Sequence, residues 1–300
     1  MFVLPFRVDF AVRGVPILSL LMMLICLAVY WQQRASMQRW ERSAEFACMN
    51  VGEDLRPVFD SFDSGCNVVV QSIAYAADAD AQIDQIADYW EQQHGANIRP
   101  QLRSFWDEAH RLGGALPLTS RLVYRPHSLN LWRMVTSSFA HADWAHLLGN
   151  LFFFFLFAPT IEAVLGRVRF TAFVFALMLG TASAYSLFSL RHMAAPTLGL
   201  SAVVYGIMAL FAYILPDARV HSVIWFGLRL WIAPVSAWFL AAWYVGGDAL
   251  RLVVLGNGAG INWLAHVSGA AIGVLLGATV FRVLRDWARS EAKPHLAPYI

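Results

Sequence analysis

Charged residues are absent from several long segments of this chain, and these segments predict its architecture. A helix that crosses a hydrocarbon layer of about 30 Å needs roughly 20 residues with little charge. Segments without Asp, Glu, Lys or Arg occur at 14–33, 144–161, 170–190, 192–216, 230–247 and 252–281. The last one begins with glycines and an Asn typical of a loop, so we place its helix at 263–284. The pattern predicts an all-α membrane protein with six transmembrane helices.

Composition supports the same class. Of the 300 residues 58% are hydrophobic and only 14% are charged, which is more apolar surface than one soluble core of this size hides. The net charge of +2 is too small to favour nucleic acid as a partner, and three cysteines are too few for a disulfide scaffold. Segment 14–33 is followed by no cleavage site of small residues, so we interpret it as an anchored helix and not as a signal peptide.

The distribution of basic residues predicts the orientation, because cytoplasmic loops retain Arg and Lys. With both termini inside, the inside segments, which include the tails 1–13 and 285–300, hold ten basic residues, whereas the short outer loops hold only Arg191 and Arg251. Segment 34–143 then lies outside with a net charge of −4, against +6 for the rest of the chain. Arg34, Arg39 and Arg42 disagree with this assignment. We expect a multi-pass protein of a bacterial inner membrane.

An insertion at 34–130 separates the first two helices and is too long for an ordinary loop. Ile83, Ile86, Tyr89 and Trp90 recur in it at helical spacing, which predicts an amphipathic helix. Cys48 and Cys66 also lie in the insertion. An oxidising compartment would let them pair, and two free thiols fit the sequence equally well.

Polar side chains inside the predicted spans are expensive in lipid, so each is a candidate functional residue. His146 and Asn150 share one face of the second helix, Ser201 and Tyr205 share one face of the fourth, and His266 opens the sixth. All three helices enter the membrane from the outer side in this topology. The polar residues therefore lie at one depth near the outer surface, as a shared site inside a bundle requires.

Small residues provide a means of bringing two of these helices together. Gly269, Gly273 and Gly277 form one stripe on the sixth helix. Ala202, Gly206 and Ala209 form a comparable stripe on the fourth. Such stripes are often only packing devices, and here the packing would bring Ser201 to His266.

A Ser and a His, with no acidic residue in the predicted spans, form the minimal nucleophile and base of covalent acyl transfer. Ser201 follows Gly199 at a helix start, where free N–H groups favour an oxyanion. Asn150 and His146 could donate to the same oxygen. A zinc site at His141 and His146 is a weaker interpretation, because residues five apart lie on different helix faces and no further ligand completes the set.

These residues resemble the rhomboid family of intramembrane serine proteases. The similar motifs follow the family's order and cover about residues 120 to 285. They are Leu131-Trp132-Arg133, His141-x4-His146-x3-Asn150, Glu162-x3-Gly166, Gly199-Leu200-Ser201-Ala202 and Ala265-His266-x2-Gly269-x3-Gly273. Each motif alone is unspecific, and the ordered set is highly specific.

The resemblance implies a rhomboid catalytic core at 131–284 that needs no cofactor or metal and cleaves membrane-protein substrates in lipid. It implies Ser201 as nucleophile and His266 as general base. Asn150, His146 and the Ser201 backbone N–H would form the oxyanion hole. Tyr205 would pack on the His266 ring, with Gly199, Gly269 and Gly273 in support, and Trp132 and Arg133 would belong to a membrane-interface loop.

Two departures from the family pattern are visible. Ala202 follows the implied nucleophile where the family often has Gly, and the insertion is longer than the compact family core needs, so the resemblance implies no role for it. The sequence leaves two other functions open. An inactive rhomboid-fold protein could bind membrane clients, although such relatives typically lose the Ser or the His. A channel or transporter is disfavoured because the predicted spans hold no acidic residue.

Overall fold

The computed structural model describes residues 2–9, 14–61, 65–76, 78–113, 116–190, 195–257, 261–285 and 288. Nearly all of the predicted tail 285–300 lies outside these ranges, as does the predicted outer-loop residue Arg191. Within them the chain is mostly helical and rich in long apolar helices, which confirms the predicted class of helical membrane protein.

Three strands and twelve α-helices follow one another in the described ranges. The strands are β1 (Phe2–Val8), β2 (Arg219–Phe226) and β3 (Arg229–Ser236). The first helices are α1 (Ile17–Met49), α2 (Arg56–Asp60), α3 (Gly65–Tyr75), α4 (Ala79–His94), α5 (Arg99–Gly113) and α6 (Leu118–Leu122). The later ones are α7 (Leu131–Thr136), α8 (Trp144–Leu165), α9 (Arg167–Ser189), α10 (Ser201–Ile214), α11 (Ala237–Leu255) and α12 (Trp263–Thr279).

Four of these helices are long and apolar enough to cross a membrane, namely α1, α8, α9 and α11. Two shorter apolar helices, α10 and α12, correspond to the predicted fourth and sixth spans. At a rise of 1.5 Å per residue, α10 is about 21 Å long, which is less than the thickness of a hydrocarbon layer. Six spans therefore remain a prediction, and four meet the length criterion.

The chain divides into two compact units, and residues 29–123 form one of them. Its core is built from α1 to α5 around large side chains that include Trp40, Phe59, Ile73 and Leu102. Cys48 and Cys66 form a disulfide in this unit, which resolves the choice that the sequence left open.

Helix α4 shows how the amphipathic pattern works in this unit. Asp78 caps its first turn by accepting a hydrogen bond from the Ala81 N–H. Ile83, Ile86 and Trp90 are buried as predicted, whereas Tyr89 is 57% exposed. The helix has a narrower apolar stripe than the sequence pattern suggested, because successive residues lie 100° apart and Tyr89 falls beside the stripe.

The other unit comprises residues 1–28 and 124–300 and contains a sheet that the sequence analysis did not predict. Strands β1, β2 and β3 pair antiparallel in that order. The predicted fifth span, 230–247, is therefore wrong at its start, since its first seven residues belong to β3 and α11 begins at Ala237. Absence of charge does not distinguish a strand rich in Trp, Ile and Val from a helix.

A buried acid anchors the start of α1 in the same unit. The Glu162 carboxylate of α8 accepts hydrogen bonds from the Leu18 N–H at 3.0 Å, the Ser19 N–H at 2.8 Å and the Ser19 hydroxyl at 2.7 Å. These bonds satisfy backbone donors that a helix start leaves free. Glu162 lies inside α8, so the expectation that the spans hold no acidic residue is wrong here. The predicted span ended at residue 161 because it was defined by the absence of charge, whereas α8 continues to Leu165.

Helices α10 and α12 approach each other through the predicted glycine stripes. A Cβ at Gly269 would lie 2.2 Å from the Ala202 carbonyl oxygen, and one at Gly273 would lie 2.2 Å from the Gly206 carbonyl oxygen. Both obstacles are backbone atoms, which cannot rotate away as a side chain can. Only glycine at positions 269 and 273 allows this packing.

The close approach predicts opposite effects for two Gly→Ala substitutions. Gly273→Ala should force α10 and α12 apart and lower the stability by roughly 1–3 kcal/mol, as overpacking does. Gly246→Ala in α11 is the matched control, because a Cβ there meets no atom within 4 Å. The control should be neutral or stabilising by up to about 1 kcal/mol, since Ala is the better helix former.

Thermal unfolding of both variants in one detergent measures this difference. Equal melting temperatures for Gly273→Ala and Gly246→Ala would contradict the packing account.

Candidate active site

Ser201 is the first residue of α10 and is held by the segment that precedes it. Gly199 has φ +117°, a conformation that L-residues rarely adopt, and its N–H donates to the Ser137 carbonyl oxygen at 2.9 Å. Two residues earlier, Thr197 pairs through its backbone with Tyr124. These contacts fix the chain where it turns into α10, and thereby fix the position of the Ser201 hydroxyl.

His266 faces Ser201 from the first turn of α12. The His266 Nε2 and the Ser201 Oγ are 2.8 Å apart, which is hydrogen-bond distance. Asn262 caps α12 by accepting from the Ala265 N–H at 3.0 Å, and its amide nitrogen donates to the Thr197 hydroxyl at 3.1 Å. The starts of α10 and α12 are thus tied together near the two side chains.

Tyr205 supports the imidazole from one turn further along α10. Its ring stacks on the His266 ring with centroids 4.4 Å apart and an interplanar angle of 15°. The resemblance implied this contact, and the structure places the rings accordingly.

An acidic residue lies on the far side of His266, where the sequence analysis expected none. The Asp248 Oδ2 lies 2.7 Å from the His266 Nδ1 and accepts a hydrogen bond from the Tyr205 hydroxyl at 2.5 Å. The Asp248 Oδ1 accepts from the Arg251 guanidinium at 2.8 Å. The expectation of a Ser and a His without an acid is therefore corrected. Asp248 directly follows the charge-free segment 230–247, and α11 continues past it to Leu255.

One signal in the sequence points to Asp248. Asp248 and Arg251 are spaced i, i+3, so on a helix they pair and partly neutralise each other. A helix can hold such a pair, so the fifth helix can extend past the end of the charge-free segment at residue 247.

Two side chains of α8, His146 and Asn150, lie close to Gly199. A Cβ at Gly199 would lie 2.6 Å from the His146 ring and 3.7 Å from the Asn150 Nδ2. Asn150 is 7% exposed, and its Nδ2 has no hydrogen-bond partner among the described residues. A buried amide donor without an acceptor costs free energy, which a bound oxygen atom would recover.

These side chains line a cavity of about 740 Å³. Ser201, His266, Asn150, His146 and Gly199 all contribute to its wall. A serine hydroxyl, an imidazole and an amide without a partner among the described residues thus face one space.

His141 lies beside this group in the segment before α8. It is buried, and its ring meets the His146 ring edge to face at a centroid distance of 5.2 Å. Burial lowers the pKa of His141 to about 4, so the side chain is neutral near pH 7. A neutral, buried ring fits a role in packing His146.

The remaining predicted residues have other positions. Gly269 and Gly273 lie at the contact of α10 and α12. Trp132 and Arg133 belong to the short helix α7, where Trp132 is 72% exposed, and neither lines the cavity. An exposed Trp suits the predicted place at a membrane interface.

The arrangement is suited to acyl transfer. A hydroxyl that donates to a neutral imidazole is the usual means of activating serine, and the imidazole is itself held by a carboxylate. The Asn150 amide and the start of α10, where a helix has free N–H groups, border the same cavity as the Ser201 hydroxyl.

Comparison with known proteins identifies a family. The Rhomboid domain model matches residues 128–283, just over half of the chain, which confirms the resemblance found in the sequence. Rhomboid protein 1, mitochondrial, of Saccharomyces cerevisiae is 31% identical over 155 residues, which are 48% of this chain and 40% of that protein.

Two plant proteins are similar over about half of the chain. Rhomboid-like protein 11, chloroplastic, of Arabidopsis thaliana is 28% identical over 162 residues, 51% of this chain and 54% of that protein. RHOMBOID-like protein 12, mitochondrial, of the same plant is 30% identical over 169 residues, 50% of this chain and 46% of that protein. The chain thus spans about half the length of the curated relatives it matches.

Proposed function

The chain belongs to the rhomboid family, and on that premise we propose that it is an intramembrane serine endopeptidase. Its substrates are membrane proteins, which it cleaves in or near the outer end of a transmembrane segment. The observation that carries this proposal is the 2.8 Å contact between the Ser201 Oγ and the His266 Nε2 at the wall of the cavity.

The proposed reaction begins with attack by Ser201. Its Oγ forms a bond to the substrate carbonyl carbon while its proton moves to the His266 Nε2. The carbonyl electrons move onto oxygen, and the oxyanion accepts hydrogen bonds from Asn150, His146 and the Ser201 N–H. When the carbonyl forms again, the C–N bond breaks and the His266 proton passes to the leaving amine. Water then repeats the sequence on the acyl-enzyme and releases the acid.

The unpartnered Asn150 amide supports the proposed oxyanion hole. A donor that is buried and unsatisfied in the free protein gains a partner when negative charge develops on the substrate oxygen. A purely structural Asn would be expected to use its amide hydrogens in tying helices together.

Both termini lie on the cytoplasmic side in the proposed topology, and residues 34–130 form an insertion domain on the outside. The charge distribution supports this orientation, and the Cys48–Cys66 disulfide supports an oxidising compartment for the insertion. We propose the bacterial inner membrane, whose outer side is oxidising, although the relatives named above are mitochondrial and chloroplastic.

The Ser201 and His266 roles predict that neither residue works without the other. Ser201→Ala and His266→Ala should each abolish cleavage of a single-span substrate, and their losses should not add. A fluorophosphonate probe should label wild-type protein at Ser201 and label neither variant. The measurements are gel-based cleavage and mass spectrometry of the labelled peptide.

Ser183→Ala is the matched control for this experiment. Ser183 lies on α9, and its hydroxyl donates a hydrogen bond to the Leu179 carbonyl oxygen of the same helix. This variant should keep full labelling and cleavage. Cleavage by purified Ser201→Ala would end the protease proposal, and a folded wild type with neither cleavage nor labelling would favour a client-binding role.

The oxyanion role predicts a specific kinetic effect of Asn150→Ala. Turnover should fall by roughly two to three orders of magnitude with little change in KM, since the amide acts on charge that exists only in the transition state. His146→Ala should have an equal or smaller effect. Asn50→Ala, at the exposed residue that directly follows α1, is the control and should behave as wild type. Normal turnover of Asn150→Ala with a lowered melting temperature would assign Asn150 to helix packing.

The position of the site predicts where substrates are cut. Ser201 and His266 lie in the first turns of their helices, within about 10 Å of the proposed outer interface. The scissile bond must unwind to reach Ser201, so cleavage should fall beside a small residue in a span that contains Gly or Pro, each of which makes unwinding easier by about 1–3 kcal/mol.

Mass spectrometry of a model single-span substrate locates the cut, and Leu replacements of its Gly and Pro test the unwinding argument. A cut on the cytoplasmic side would refute the proposed topology. A rate that ignores the Leu replacements would refute the unwinding argument alone.

A further inference from the structure

Asp248 is a buried carboxylate in the middle of a membrane helix. It is 6% exposed, and both of its oxygens are engaged. The Oδ2 accepts from the His266 Nδ1 at 2.7 Å and from the Tyr205 hydroxyl at 2.5 Å, while the Oδ1 accepts from Arg251 at 2.8 Å. Donors from α10, α11 and α12 thus converge on one side chain.

A structural ion pair alone does not account for this position. The Arg251 side chain is 55% exposed, so an acid placed at the surface could pair with it without being buried. A buried charge in a membrane helix is costly and is retained where its partners need it. The two partners that require burial of Asp248 are His266 and Tyr205, which both line the cavity.

We propose that Asp248 is a positioning residue that completes a Ser201–His266–Asp248 triad. This inference rests on the proposed function. Asp248 does not line the cavity, so it acts on the reaction through His266.

The carboxylate would act on His266 in two ways. It keeps the proton on Nδ1, which leaves Nε2 with a lone pair directed at the Ser201 hydroxyl. It also stabilises the imidazolium that forms when Nε2 takes the Ser201 proton. Because Tyr205 both stacks on the ring and donates to the same Oδ2, the ring plane and the Nδ1 direction are fixed together.

Other titratable groups also face His266. His146 approaches from α8, whose first turn is capped by Asp143, and Tyr205 approaches from α10. Tyr244 and Arg251 accompany Asp248 on α11. Asp248 is the acid in direct hydrogen-bond contact with the imidazole among the described residues.

Asp248→Asn tests the proposal, because it removes the negative charge and nearly keeps the shape. The full-length variant in detergent should lose roughly 100-fold to 10,000-fold in fluorophosphonate labelling rate and in kcat, with little change in KM. The acid limb of its pH–rate profile should move to lower pH, since an imidazolium without the carboxylate loses its proton more readily. A structural role would reduce the active fraction without moving the limb.

Leu250→Ala provides the matched control on α11. Leu250 lies two residues from Asp248 and is 65% exposed. Its labelling rate and pH profile should equal those of the wild type.

A second variant keeps the test decisive if Asp248→Asn does not fold. The double variant Asp248→Asn/Arg251→Gln removes both charges of the ion pair, so no guanidinium is left without its carboxylate. It should show the same loss of rate and the same shift of the acid limb. Arg251→Gln alone should show neither, because it leaves the His266 contact in place.

Failure of the triad proposal and failure of the proposed protease function would give different experimental results. Wild-type rates and an unmoved acid limb in folded Asp248→Asn, with Ser201→Ala silent, would reduce the triad to a dyad and leave the protease intact. Activity that persists in Ser201→Ala would remove both proposals.

Discussion

The backbone contact between α10 and α12 is the constraint on which the candidate site depends. Ser201 and His266 come from helices that are 65 residues apart at these positions, and they reach 2.8 Å only because the helices pack without side chains between them. Gly269 and Gly273 lie against carbonyl oxygens of α10, so the separation of the helices is set by hard backbone atoms. The geometry of the Ser201–His266 pair is thus a result of helix packing, and a residue larger than glycine at position 269 or 273 would keep the helices apart.

Buried acids organise the unit of the chain that holds the site. Glu162 ties the first turn of α1 to α8, and Asp248 ties α11 to α10 and α12. Each carboxylate has several donors, which is the condition under which a charge is tolerated in a low-dielectric interior. The two acids therefore differ from isolated charges in a membrane. The cost of burying each carboxylate is offset by hydrogen bonds from helices that are distant in sequence.

Gly199, His146 and Asn150 line the cavity beside Ser201 and His266. Gly199 adopts a positive φ beside the His146 ring and the Asn150 amide, and a Cβ at this position would lie 2.6 Å from the His146 ring. The amide of Asn150 is left without a partner in the same place. Donors that are already held in position need little reorganisation when charge develops, which is why such sites are effective in acyl transfer.

The sequence by itself determined the helical membrane class, through its periodicity and its charge-free segments. Its ordered motifs determined the family and the candidate site residues, including Ser201, His266 and Asn150. These features are local, or depend on the order of short motifs, and a chain shows them directly. Only the tertiary structure decided that 230–236 forms a strand, that Cys48 pairs with Cys66, and that Asp248 meets His266. Each of these depends on a partner that is distant in sequence. The cost of burying Asp248, for example, is offset by hydrogen-bond donors from His266 and Tyr205, which belong to other helices.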